Sequence, residues 1–437
     1  MNILIVETVW MGGARYKFLD KTLLTAFAIL PTLQARELAA ITPKQHTVSV
    51  VNERYTKIEY NAAYDVVLIN FVTSTAPRAY EIADNFRKKS VPVVLSGFHA
   101  SGLPEEAKHH ADSVLIGRNE CGWLTILQDI EQKKLQSFYH APPYNNSMSL
   151  PPTNITLPGF VITAALEATR GCPYHCKFCP ETNIQGGTSF YKRPIQEVID
   201  EIKTIPQKTL MFYDTSLTID PAYTKELFKK MKGLHKKFFC NGNVNVLAHD
   251  KELVRHSKEA GCVAWLVGFE SISQNTLDAV GKTTNMVEEY RQAIYNIHIY
   301  HMVVIGEFMF GFDTDAPDVF EKTLKAVKDL KIDVADFSIL TPFPGTPLFN
   351  KLDDEKRILT KDWKYYNMGH AVFKPKQMTP EELLRGVQQM YAEFYTPSYT
   401  MKRILQNIHR GPYPFFVVFA RNIVATMNSR RLLTKKI

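Results

Sequence analysis

The chain has no apolar run of the roughly 18 to 20 residues that a membrane-spanning helix needs. Its first residues, Met1-Asn2-Ile3-Leu4-Ile5-Val6-Glu7, lack the basic region and small-residue cleavage site of a secretory leader, so a cytoplasmic protein is expected. Cysteine is sparse, with six in 437 residues. Cys121, Cys240 and Cys262 stand far apart, which excludes a disulfide framework and leaves these three as small core residues. No nucleic-acid recognition motif accompanies the formal net charge of +8. Part of that excess is Arg430, Arg431, Lys435 and Lys436, after the apolar Pro414-Phe415-Phe416-Val417-Val418-Phe419. Such a tail suits peripheral contact with an anionic membrane surface, and equally a last packed helix with a frayed, solvated end.

The other three cysteines fall within eight residues, in Thr169-Arg170-Gly171-Cys172-Pro173-Tyr174-His175-Cys176-Lys177-Phe178-Cys179-Pro180. The spacing C-x3-C-x2-C brings three thiolates to one soft centre. Three is the informative count, because a [4Fe-4S] cluster held there keeps one iron free of cysteine. The alternative is structural zinc completed by His175 or a remote ligand, but zinc knuckles usually carry C-x2-C twice and only one such pair exists here. With Phe178 just before the last cysteine, the loop resembles that of the radical S-adenosylmethionine (SAM) enzymes. The resemblance implies that Cys172, Cys176 and Cys179 hold the cluster and that its open iron chelates SAM. One electron, from a ferredoxin- or flavodoxin-type donor, then cleaves SAM to a 5'-deoxyadenosyl radical.

The length suits two or three domains. From residue 1 to 135, apolar runs alternate with amphipathic stretches, as in a doubly wound parallel α/β sheet. The expected strands are Ile3 to Val6, His46 to Val51, Asp65 to Phe71, Pro92 to Leu95 and Ser113 to Ile116. Ligands of such sheets bind beyond the carboxyl ends of the strands. The turns there resemble the Rossmann-like cobalamin-binding domain that precedes one large radical SAM subclass. The resemblance implies that Thr73, Ser74, Ser96, Gly97, His99, Gly117 and Glu120 line the cobalamin slot. The D-x-H-x-x-G motif that supplies a histidine to cobalt is absent from Glu7-Thr8-Val9-Trp10-Met11-Gly12-Gly13, so cobalt without a histidine ligand is expected. A module that binds nothing and only caps the barrel is the alternative. His109 and His110 read as a solvated helix end. Residues 136–160, Pro-rich and polar from Ala141 to Pro158, read as a linker.

From 161 to 350 six strand-helix units follow, which predicts a partial (β/α)6 barrel of the TIM type with function at the strand ends. The strands are Val161 to Glu167, Thr209 to Tyr213, Phe238 to Asn241, Cys262 to Phe269, Met302 to Phe310 and Val334 to Leu340. The resemblance implies that Asp214, Asn243 and Glu270, with Phe178, bind SAM. Taken from the residues alone, Asp214 is equally a turn or N-cap aspartate. Asn241-Gly242 is equally a turn. Residues 351–437 read as a helical cap, with Thr379-Pro380-Glu381-Glu382 as a capping box and Trp363, Tyr365 and Tyr366 as core in preference to pocket wall.

The resemblance thus implies a cobalamin-dependent radical SAM enzyme, foremost a C-methyltransferase acting on an unactivated carbon. One SAM would methylate the cobalamin and a second would yield the radical. A large apolar substrate, a tetrapyrrole or a lipid, is expected, and a peptide stays open. The rival keeps both cofactors without methyl transfer, as in enzymes resembling anaerobic magnesium-protoporphyrin monomethyl ester cyclase or those remodelling lipid skeletons. A non-catalytic metal-binding scaffold is the reading from a different class.

Overall fold

A computed structural model describes residues 1–8, 33–53, 56–144 and 162–434, with side chains as far as Met427. The glycine pair of the loop after the first strand, most of the expected linker, and the side chains of Arg430, Arg431, Lys435 and Lys436 lie outside the described residues.

Six strands form the first sheet: β1 (Asn2–Glu7), β2 (Thr47–Asn52), β3 (Val66–Asn70), β4 (Val93–Ser96), β5 (Ser113–Ile116) and β6 (Phe138–His140). They run parallel in the order β2-β1-β3-β4-β5-β6. Parallel strands joined by helical crossovers are covered on both faces, which is why they read as unbroken apolar runs. Leu4, Val6, Val67 and Ile69 pack on one side against Ala79, Ile82 and Phe86 of α2 (Ala76–Arg87). Ile3, Ile5, Val66 and Leu68 pack on the other, against Leu38 of α1 (Gln34–Ile41) and Trp123, Ile126 and Leu127 of α3 (Asn119–Glu131). The sixth strand falls in the stretch read as linker. The order reverses between β1 and β3, the switch point beyond whose carboxyl edge such sheets bind ligands.

The second sheet holds β7 (Thr163–Leu166), β10 (Thr209–Phe212), β11 (Lys237–Asn241), β12 (Cys262–Glu270), β13 (Val303–Phe310) and β14 (Val334–Ile339), parallel and in chain order. Sequential order with helices between neighbours curls the sheet into an open barrel. Side chains alternate along each strand. On β13, Val304, Phe308 and Phe310 join the large core that also holds Phe228 of α4 (Pro221–Met231), Leu277 of α5 (Gln274–Val280) and Tyr290 of α6 (Tyr290–His298), while Val303 and Ile305 point inward.

Three long helices complete the chain: α7 (Pro380–Phe394), α8 (Pro397–Gln406) and α9 (Pro412–Thr434). The capping box of α7 is present in both directions, Thr379 N–H to Glu382 Oε2 at 2.7 Å and Glu382 N–H to Thr379 Oγ1 at 3.1 Å. Ile404, Val417 and Val418 close the inward face of the strands from below, against Val263, Ala264, Val303, Ile305 and Val334. Asn422, fully buried in α9, donates to the Asp333 carbonyl at 3.1 Å and accepts from Arg403 Nη2 at 2.6 Å. Helix α9 is therefore a core element of the barrel floor. Among the described residues no helix is long and apolar enough to cross a membrane.

Candidate active site

The cysteine loop springs from a two-residue strand, β8 (Thr169–Arg170), and returns through β9 (Tyr191–Lys192), its antiparallel partner. Gly171 has φ +75°, and a Cβ there would lie 1.9 Å from the Ser189 carbonyl oxygen, so only glycine starts this loop. Backbone bonds then fold it back on itself: Cys172 N–H to Gly187 O at 3.1 Å and Cys179 N–H to Cys176 O at 3.1 Å. Asn183 ties Cys176 O and Cys179 O with one amide, at 3.2 and 2.7 Å. Lys177 N–H reaches Val280 O at 3.0 Å, bringing the end of α5 and the following Gly281-Lys282 against the cysteines.

Cys172 and Cys176 are buried and Cys179 is half-buried, all with free thiols. Burial pushes Cys172 and Cys179 up to about 11. The Tyr174 N–H counters this at Cys172, the Thr182 and Glu181 N–H groups counter it at Cys179, and the Lys282 ammonium favours thiolate at Cys172 and Cys176. The three sulfurs feel one another's charge. Such a donor set fits an anionic iron-sulfur cluster. His175, the zinc alternative's fourth ligand, is exposed, and among the described residues no group of three or more His, Cys, Asp or Glu is placed to hold a single metal ion.

Glu270 ends β12 at a bulge, with φ +63°, a costly conformation for a side chain of its size. Its surroundings fix it. Asn285 donates to Gly268 O and Phe269 O at 2.8 and 3.0 Å, and Tyr290 Oη–H to Phe269 O and Ser271 O at 2.9 and 2.8 Å. Lys282 Nζ meets Glu270 Oε1 at 3.0 Å. Burial works against the Lys282 charge, but Glu270 and Cys176 more than restore it. An ammonium-carboxylate pair beside the thiols suits the amino and carboxylate ends of SAM. Asn243 stands half-buried just after β11, with its side-chain amide beside the Tyr174 hydroxyl. Phe178 packs edge-on against Phe312 at 6.2 Å. Asp214, expected at SAM, is spent inside the protein: it accepts from Ala168 N–H at 3.1 Å and Thr169 Oγ1–H at 2.7 Å, so it braces the start of the cysteine loop. Lys282 and Asn285 were missed, and the signal for them is the Gly281-Lys282 turn that follows a short helix at the fourth strand.

At the carboxyl edge of the first sheet, Gly97 has φ +106° and a Cβ there would lie 2.3 Å from Phe71 O. Ser96 is fully buried, Thr73 is buried and Ser74 half-buried in a single 3-10 turn, and Gly117 N–H donates to Ser101 Oγ at 3.0 Å. Asn119 donates to Asn70 Oδ1 at 2.8 Å while its own Oδ1, buried, has no partner. Small side chains and an orphaned amide oxygen at a switch point fit a polar cofactor tail. His99 and Glu120 have protein partners instead. The His99 imidazole is fully buried, 3.2 Å from Glu106 Oε1, and Trp363 Nε1–H reaches that same oxygen at 2.8 Å. His99 thereby takes part in fastening the cap to the first sheet. Trp363 and Tyr366 are buried core and Tyr365 is exposed.

Glu120 crosses to the barrel. It accepts from Arg170 Nη1 at 2.6 Å and from the Tyr144 hydroxyl. The same guanidinium binds Glu37 of α1, and Nε faces Glu167 Oε2 at 3.1 Å. Arg118 pairs with Glu181 just after the last cysteine. Burial, which disfavours the charged form, pushes Glu37 up to about 7 and Glu167 well above the carboxylate range. Burial acts on Glu120 too, but Arg170 and Arg118 hold it below the usual value. The two sheets' carboxyl edges are thus clamped together two residues from Cys172.

Inside the barrel mouth, Glu307 and Asp336 are register partners on β13 and β14, beside Gly268 of β12. Arg421 of α9 pairs with Asp336 at 2.5 Å. Glu307 is open to the lumen, yet burial, with Glu270 and Asp336 nearby, raises it to about 7.

Comparison with known proteins follows this geometry. Residues 166–327 match the family model of the Radical SAM superfamily, and residues 346–417 that of a domain of unknown function, DUF4070. The chain is 31% identical over 387 residues to the bacteriochlorophyllide d C-12(1)-methyltransferase of Chlorobaculum tepidum, across 84% of this chain and 83% of that one. It is 31% identical over 391 residues to the C-8(2)-methyltransferase of the same organism, across 85% and 86%. The solved radical S-adenosylmethionine methyltransferase TsrM from Kitasatospora setae, with cobalamin and a [4Fe-4S] cluster bound, shares the fold, with a TM-score of 0.71 at 13% identity over 99% of this chain and 100% of that one. The chain belongs to the cobalamin-binding radical SAM family. As a radical SAM enzyme it works with a [4Fe-4S] cluster and SAM.

Proposed function

We propose that the protein is a cobalamin-dependent C-methyltransferase acting on a large, largely apolar molecule of the tetrapyrrole class. The observation that carries this is the clamp of Arg170 to Glu37 and Glu120, which ties the carboxyl edge of the first sheet to the start of the cysteine loop. Methyltransferases that align over more than four-fifths of both chains support methyl transfer over the rival chemistries. Cys172, Cys176 and Cys179 would hold the cluster, Glu270 and Lys282 would orient SAM, and Thr73, Ser96, Gly97 and Asn119 would border the cobalamin tail. When bound, these groups supply a hydrogen-abstracting radical and a methyl donor. The protein's own work is alignment and exclusion of water. The clamp fixes the spacing of the two edges, the strained Glu270 stays in place without reorganisation, and α8 and α9 seal the lumen from below.

The test is anaerobic reconstitution with cobalamin, iron and cobalt analysis, then turnover of bacteriochlorophyllide d with methyl-labelled SAM. About four iron and one cobalt per chain, with a labelled product heavier by one methylene, is the expected result. Iron without cobalt would demote the first sheet to a cap. A product changed in any other way would favour cyclisation or skeletal remodelling.

A further inference from the structure

The positive charge of this protein is not spread over it. From Phe394 to Ile437 there is no aspartate or glutamate, while eight lysines and arginines occur, and eight is the whole excess of 52 basic over 44 acidic residues. The chain before that segment is neutral in sum. Three of the eight are committed: Arg403 to Asn422, Arg410 to Asp333 and Arg421 to Asp336.

The same segment carries apolar side chains turned outward. Met401, Leu405 and Ile408 recur at helical spacing and are 53%, 57% and 57% exposed, while Thr400, Arg403 and Ile404 on the other side of the helix are buried. Tyr413 continues the surface at 42% exposure, with Lys237 Nζ 5.5 Å from its ring. Lys402 is exposed beside Met401. Next to it, the His409 ring meets His301 at 5.6 Å. Burial and the neighbouring charges of Lys258, His409 and Arg410 hold the His301 imidazole below its ordinary value, which marks a positive field.

The position of this surface decides what it meets. Arg410 Nη1 binds the carbonyl of Met302, just before β13, and Lys237 begins β11, so the surface lies at the amino ends of the barrel strands. The cysteines lie at the carboxyl ends. An acidic electron-donor protein seated here would be a full strand length from the cluster, roughly 26 Å for an eight-residue strand, too far to serve it. Protruding apolar tips on a basic segment that itself carries no acid suit the headgroup boundary of a bilayer.

We propose that this end of the barrel rests on an anionic phospholipid bilayer, with Met401, Leu405, Ile408 and Tyr413 entering the interface. The protein lies on the membrane without spanning it, and the barrel mouth faces the aqueous side. The contact is a tether, independent of the substrate.

The test is flotation of the reconstituted full chain with vesicles of phosphatidylcholine alone and with roughly one-quarter phosphatidylglycerol, where at least about tenfold stronger binding to the anionic vesicles, falling in high salt, is expected. Leu405→Glu/Ile408→Glu should lower that binding about tenfold with melting temperature and SAM cleavage unchanged, and Lys402→Glu should lower it less. Equal partition to both vesicles, no binding, or anionic binding untouched by the double substitution would overturn the proposal. So would a dimer, or a complex with an acidic ferredoxin, that the double substitution breaks while vesicles bind nothing.

Discussion

Two buried charge networks stand at opposite ends of the barrel, and they are built differently. At the amino end, one carboxylate, Asp333, is met by an excess of donors: Val304 N–H, His298 Nε2 and Arg410 Nη1, each at 2.9 Å, and Asn407 Nδ2 at 3.2 Å. Burial works to raise Asp333, and His298 and Arg410 together hold it below the carboxylate range. At the carboxyl end, one guanidinium, Arg170, serves three carboxyls, and two of them rise above the ordinary range. A saturated site contributes rigidity. An undersupplied one contributes geometry between two domains and leaves protons poised near neutrality, an arrangement that favours specificity over stability.

The sharpest way to break this contrast is to remove the chemistry beside the upper network. Cys172→Ala should abolish SAM cleavage altogether; continued release of 5'-deoxyadenosine would detach the upper edge from catalysis. Next comes the guanidinium. Arg170→Met strands three carboxyls, the buried Glu37 and the half-buried Glu120 and Glu167, and should cost about 3–5 kcal/mol in denaturant unfolding. Arg170→Lys keeps the charge without the fork, so the fold should survive while kcat/KM falls about tenfold or more. Asp333→Asn, at the other end, should cost about 1–3 kcal/mol of stability and leave kcat unchanged. A fall in kcat in that variant as deep as in Arg170→Lys would erase the distinction.

The pH dependence sharpens it further. Glu37 stands at about 7 in the fold against an ordinary 4.5. The native state therefore holds a proton that the unfolded chain releases, so this stabilisation is complete below the ordinary value and is lost as pH rises through about 7. Glu37→Gln should flatten that decline by at most about 3 kcal/mol, measured as unfolding free energy against pH. The smallest effect belongs to Glu307→Gln, which should remove an inflection near neutral pH in KM while changing kcat/KM by less than about fivefold.

Much of the architecture was legible because parallel strands must be apolar on both sides. Ile3 to Val6 and Met302 to Phe310 declare themselves in this way, and the cysteine loop and the capping box are local patterns. Phe138–His140 escaped because three residues at a sheet edge carry no periodicity. The candidate site was legible where a local pattern marks it, as with the cysteine loop, and illegible where it is built from pairs distant in the chain. Nothing near Arg170 in sequence announces Glu37 and Glu120. Asp214, Glu120 and His99 stood at the right strand ends, but three-dimensional neighbours claimed their side chains first.

Asn422 and Arg421, held within the barrel floor, have a consequence for how the molecule comes into being. The helix that carries them leaves the ribosome long after the cysteines do. Until it arrives, Asp336 lacks Arg421, the Asp333 carbonyl lacks Asn422, and the inner faces of β12 to β14 lack the cover of Val417 and Val418. The nascent chain thus carries its three thiols on a barrel whose floor is still open.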